Sequence, residues 1–84
     1  MASIEIYTTP LCGFCHAAKR LLASKDAGYV ETDVSGDQAA REAMMQRAGG
    51  RHTVPQIFVD GTHVGGYDEL AALDRQGKLD PMLA

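Results

Sequence analysis

Two cysteines, Cys12 and Cys15, lie three positions apart in the stretch C-G-F-C-H, and the chain has no others. On a helix, residues i and i+3 share a face, so the two sulfurs can close a disulfide only if Cys12 sits at or just before the first turn, where the backbone adapts. A helix N-terminus presents free N–H groups and the positive end of the helix dipole. Both favour a thiolate over a thiol at Cys12, while Cys15 lies one turn inside and more buried. Cys12 is then the nucleophile and Cys15 the resolving thiol. In general, a thiol whose pKa falls from about 8.5 to about 6 goes from about 3% to about 90% thiolate at pH 7. With a Brønsted coefficient of about 0.45 its nucleophilicity drops roughly thirteenfold, so attack gains only about two- or threefold. The larger benefit is as a leaving group: a mixed disulfide on such a sulfur is broken quickly by a second thiol, which turnover requires.

Three other uses of the pair compete. Two structural thiols in a packed core would have no need of a helix entrance. The run C-x-x-C-H also matches the pattern for covalent haem attachment, which is expected in exported chains. The N-terminal M-A-S-I-E-I-Y has no basic region followed by an apolar one and reads as the start of the domain. A zinc site would need Cys12, Cys15 and two of His16, His52 and His63, without the second closely spaced ligand pair that zinc modules offer. His16 reads as a helix-surface residue, and His52 and His63 as surface or rim residues.

The rest of the chain limits the setting of this chemistry. With 84 residues it has material for one domain, spanning 1–84, with a single modest core. A hydrophobic content of 45% with only 3 prolines is too apolar for a disordered segment. No apolar run approaches the roughly 20 residues that span a bilayer. A net charge of −3 and the absence of a Lys/Arg cluster argue against nucleic acid as a partner. The expected compartment is the cytoplasm, where thiols are kept reduced and a C-x-x-C pair is catalytic or metal-binding more often than a permanent staple. A bridge closing so short a loop would also constrain the unfolded chain little.

The elements that must position the cysteines are legible from periodicity. Ser3 to Thr8 alternates apolar and polar residues as a strand does, and Pro10 ends it. From Gly13 to Lys25, Phe14, Ala17, Ala18, Leu21 and Leu22 recur at helical spacing, with Gly28 as a stop, so Cys12 falls at the helix entrance. Tyr29 to Val34 reads as a second strand, and Ser35 with Gln38 offers a capping box for a helix over Gln38 to Ala48 that Gly49-Gly50 ends. Ile57 to Val59, Asp60-Gly61 and Thr62 to Val64 form the strand, two-residue turn, strand signature of a hairpin, closed by Gly65-Gly66. Asp68 can cap a last helix with Leu70 and Leu73 facing the core and Gly77 as its stop, followed by a short tail ending in Pro81, Met82 and Leu83. The order βαβαββα predicts an α/β fold, a four-stranded mixed sheet with helices on both faces. A C-x-x-C beside a βαβ unit suggests a thioredoxin-like redox motif.

Taken together, Y-T-T-P-L-C-G-F-C-H-A-A-K-R-L-L, T-V-P-Q-I-F-V-D-G and G-G-Y-D-E-L resemble the glutaredoxin family over essentially the whole chain, nearest to its small bacterial members. The resemblance implies a thioredoxin-like fold with three helices flanking the sheet. It also implies glutathione-dependent reduction of protein disulfides and of mixed disulfides between proteins and glutathione, with oxidised glutathione recycled by an NADPH-dependent reductase. Cys12 and Cys15 would be catalytic, in a monomer. The Val54-Pro55 bond would be cis, offering the Val54 backbone to glutathione as a short strand would. Thr53 would flank that surface and Phe14 would form an apolar wall near Cys12. Gly66 would admit the ligand close to the backbone with Tyr67 beside it, and Asp68 would take the glutathione ammonium while nearby N–H groups meet its carboxylate.

Two positions depart from the family pattern. The common centre C-P-Y-C is C-G-F-C here, so Gly13 replaces a stiffening proline and Phe14 lacks a hydroxyl. Family members with a small residue there tend to hold a [2Fe–2S] cluster between two subunits, which would make Cys12 a cluster ligand in a dimer; no other metal ligand is expected. Thr9 stands where many members carry lysine, leaving Arg47 or Arg51 as the substitute cation.

Overall fold

The computed structural model describes residues 2–84. The elements run β1 (Ile4–Thr8), α1 (Gly13–Ser24), β2 (Val30–Asp33), α2 (Gln38–Arg47), β3 (Gln56–Val59), β4 (Thr62–Gly65), α3 (Tyr67–Arg75) and α4 (Leu79–Leu83). The strands form one sheet in the order β2-β1-β3-β4, with β1 parallel to β2 and antiparallel to β3, and β3 antiparallel to β4. This is the mixed sheet expected from the element order.

Alternation along the strands divides the interior in two. Ile4, Ile6, Ile57 and Val59 point to one face, where Ala18 and Leu22 of α1, Leu70 of α3 and Leu79 and Leu83 of α4 cover them. Tyr7 and Phe58 point to the other face, against Val34 and against Met44 and Ala48 at α2 and its end. Arg47 straps that second face. It donates to both oxygens of Glu5 at 2.9 Å and to the Tyr7 hydroxyl at 2.9 Å, and its guanidinium lies 4.1 Å from the Phe58 ring centroid. Among the described residues no helix is long and apolar enough to cross a membrane.

The Asp60-Gly61 turn has positive φ at both residues (50° and 79°), the geometry that matches a two-residue hairpin to the strand twist. The turn is pinned to β1, since Asp60 N–H donates to Ser3 O and Ser3 N–H to Asp60 Oδ1, each at 2.8 Å.

Three local expectations are corrected. The tail forms a fourth helix, α4, because Leu79 and Leu83 find a core to enter and Pro81 sits in its first turn, where a missing N–H costs nothing. The α2 cap is Asp37, whose carboxylate accepts from Ala40 N–H at 3.0 Å, and not Ser35, which follows Asp33 in a turn held by its own N–H. The N-cap of α3 is Gly66, so Asp68 lies inside the first turn. His63 is half-buried, with its ring tilted over Phe58 at a centroid separation of 5.0 Å.

Candidate active site

Cys12 is the N-cap of α1, with extended φ and ψ of −121° and 105°. Its Sγ accepts the Cys15 N–H at 3.0 Å and its carbonyl accepts the His16 N–H at 3.2 Å, which starts the helix. The sulfur thus occupies the position that a serine or aspartate side chain usually takes at a cap, facing the free amides. Cys12 and Cys15 are joined as a disulfide, with their Cα atoms 5.2 Å apart. Cys15 is wholly buried whereas Cys12 is half-buried, so an incoming thiol or disulfide reaches Cys12 first.

A cleft of 240 Å³ opens beside Cys12. Phe14 enters it from α1, Thr53, Val54 and Pro55 from the segment before β3, and Gly66, Tyr67 and Asp68 from the start of α3. Every cleft residue expected from the sequence is therefore brought together. The Val54-Pro55 bond is cis, and Val54 O lies 3.7 Å from Cys12 Sγ. A disulfide sulfur carries no proton, so this is a contact and not a hydrogen bond. Phe14, which is 63% exposed, stacks on Tyr67 with centroids 6.1 Å apart and planes 21° from parallel, giving one wall of the cleft an apolar lip.

Arg51 and Glu69 also line the cleft. Glu69 accepts from Arg51 Nη1 at 2.8 Å and from Gly66 N–H at 2.7 Å. The arginine first, and then the Gly66 amide, hold its carboxyl below the usual carboxylate range. Of the two arginines offered as substitutes for the missing lysine, only Arg51 faces the cleft, because Arg47 is committed to Glu5 and Tyr7 on the far side of the sheet. Gly65 is the residue whose backbone demands glycine: its φ is +120° and a Cβ there would strike the Glu69 carboxylate. At Gly66 φ is an ordinary −93°, and a Cβ would sit 3.4 Å from Pro55 O, in the cleft itself. The sequence pointed to Gly66 and passed over Glu69. The signal for Glu69 was its place three residues after the cap, the capping-box position.

This arrangement couples a half-buried sulfur at a helix N-terminus to a small cleft lined by both polar and apolar groups. The class is a thioredoxin-fold thiol-disulfide protein, and comparison with known proteins makes the class specific. The glutaredoxin family model matches residues 4–64. Glutaredoxin 3 of Escherichia coli K12 is 53% identical over 83 residues, covering 99% of each chain. The solution structure of a glutaredoxin from Brucella melitensis superposes with a TM-score of 0.86 at 48% identity, over 99% of this chain and 89% of that one. A buckwheat glutaredoxin in complex with glutathione superposes with a TM-score of 0.88 at 32% identity, over 98% of this chain and 76% of that one. The chain belongs to the glutaredoxin family.

Proposed function

We propose that this protein reduces disulfides at the expense of glutathione, with Cys12 as the nucleophile, and acts foremost on mixed disulfides between proteins and glutathione. The Cys12 thiolate attacks the glutathione sulfur of the mixed disulfide, forming a Cys12–glutathione disulfide and releasing the protein thiolate, which takes up a proton. A second glutathione thiolate then attacks, forming oxidised glutathione and releasing Cys12 as the thiolate that the α1 N-terminus favours. Over the cycle the free glutathione is oxidised and the substrate protein's sulfur is reduced, leaving the protein thiol and oxidised glutathione. For a disulfide within or between proteins, Cys15 attacks Cys12 Sγ in the mixed intermediate and leaves the Cys12–Cys15 bridge, which two glutathione molecules reopen. An NADPH-dependent reductase in a reducing compartment such as the cytoplasm would recycle the oxidised glutathione.

The observation that carries this reading is a cleft whose Val54 wall lies against Cys12, with Val54 O 3.7 Å from Cys12 Sγ. Glutathione is a short extended peptide with a free ammonium and two carboxylates. The Val54 backbone offers strand-like pairing beside the reacting sulfur, Asp68 offers a partner for the ammonium, and Arg51 and the first amides of α3 offer partners for carboxylates. Phe14 and Tyr67 shield the reacting disulfide, and Thr53, Pro55 and Gly66 shape the floor. The test is turnover of a glutathionylated peptide coupled to NADPH oxidation through glutathione reductase. Cys12→Ser is expected to abolish it and Cys15→Ser to retain it. A Cys12→Ser protein with undiminished turnover would overturn the assignment.

A second reading, carriage of a [2Fe–2S] cluster, is favoured by the open surface at the centre. A Cβ on Gly13 would meet nothing within 4 Å, and neighbouring Leu11 is fully exposed, so a second copy can approach Cys12. Among the described residues no group of three or more His, Cys, Asp or Glu side chains could hold a metal ion alone. Cys12 of each copy, with a bound glutathione from each, would supply the four thiolates such a cluster takes. Anaerobic reconstitution of the reduced protein with iron, sulfide and glutathione is expected to give a coloured dimer; a colourless monomer would exclude it.

A further inference from the structure

Gln56 is wholly buried, yet its side chain lies on a chain of hydrogen bonds that reaches the cleft. Its amide nitrogen donates to Thr53 O at 3.0 Å and to Thr53 Oγ1 at 3.3 Å. A backbone carbonyl can only accept, so the amide orientation is fixed and Gln56 Oε1 faces His63 Nε2 at 2.7 Å. His63 must then donate from Nε2, and stacking on Phe58 keeps its ring in that pose. Burial, and then the nearby Arg51 charge, lower the His63 pKa, which favours the neutral imidazole over the imidazolium.

We infer that Gln56, held by His63, is a positioning residue that sets the binding edge at Thr53 and Val54. In a trans peptide the C=O and N–H point to opposite sides. The Thr53-Val54 peptide is trans, since Val54-Pro55 is the one cis bond among the described residues. Drawing Thr53 O inward to Gln56 therefore turns the Val54 N–H outward to the cleft, and among the described residues no backbone carbonyl takes that N–H. Because Gln56 also donates to Thr53 Oγ1, the threonine hydroxyl keeps its own proton for a ligand acceptor. Two donors at the cleft are thus aimed by one buried amide that never meets the ligand. This rests on the reading of the cleft as a glutathione site.

The test compares two mixed disulfides of one peptide, capped with glutathione or with 2-mercaptoethanol, which lacks every group the cleft would recognise. The unmodified protein is expected to prefer the glutathione-capped peptide; no preference would overturn the glutathione reading itself. Gln56→Met, similar in shape but without donors, is expected to raise KM for the glutathione-capped peptide about tenfold, the upper end of what one lost hydrogen bond is worth. Its kcat and its rate on the mercaptoethanol-capped peptide should be unchanged. His63→Phe, which keeps the stack but not the donor, should raise the same KM about threefold, and it decides the matter if Gln56→Met does not fold. An unchanged KM, or equal losses on both peptides, would overturn the positioning role.

Discussion

At the scale of single residues, the cleft places opposed demands on neighbouring glycines. Gly65 is fixed by its backbone, because its φ of +120° is disfavoured for any side chain and a Cβ there would displace Glu69. Gly65→Ala is expected to cost about 1–3 kcal/mol, read as a lower denaturant midpoint, and to loosen Arg51 by moving its partner. Gly66 is instead limited by the space it leaves. Gly66→Ala is expected to weaken glutathione use by narrowing the cleft next to Pro55 O, seen as a raised KM with little change in the denaturation midpoint. At this scale the sequence named Cys12, Cys15, Thr53 to Pro55 and Gly66 to Asp68, since each stands in a short pattern with its own chemistry. Gln56 was passed over because a lone amide reveals its partners only after folding, and Glu69 because its capping-box position follows from Gly66, not Asp68, being the cap.

At the scale of elements, each helix begins on a cap whose chemistry differs. The cap of α1 is the reactive sulfur, so stability and reactivity share one set of amides there. The cap of α2 is Asp37, remote from the cleft, which makes it a clean measure of capping alone. Asp37→Ala is expected to cost about 1 kcal/mol, lowering the melting temperature by about 4–8 °C for a chain of this size, with turnover of glutathionylated peptide retained. Element order and type were legible because periodicity and turn chemistry act over a few residues. The Ser35 cap was misread because Ser35 and Asp37 both suit that role, and the choice falls to the turn that Asp33 closes. The five-residue α4 left no periodic trace; packing of Leu79 and Leu83 makes it a helix.

At the scale of the whole molecule, charge pairs between elements tie stability to pH. Glu5 is held below the ordinary carboxylate value of 4.5 mainly by its hydrogen bonds from Arg47. Glu31 is lowered by Thr8 and then Lys19, and Glu69 by Arg51. A carboxyl whose folded pKa is depressed binds fewer protons when folded than when unfolded, so its stabilisation is present above the unfolded value and lost as pH falls through the folded one. His63 adds in the same direction at higher pH. Its lowered pKa means that below its ordinary 6.5 the unfolded chain gains a proton that the folded one resists. The melting temperature is expected to fall in two stages, a shallow one starting below pH 6.5 that His63→Phe removes and a steeper one below pH 4.5. A profile flat to pH 3 would contradict both. The sequence by itself determined the order of the strands and of the first three helices, the hairpin turn and the reactive cysteine at a helix entrance, because capping, period and turn geometry are settled between near neighbours. Only the tertiary structure decided that Val54 meets Cys12 across 42 positions, that Arg51 and not Arg47 faces the cleft, and that Gln56 aims its edge. Those contacts depend on the order and twist of the strands and on which side chains fill the space between layers, which the packing of the whole chain fixes at once.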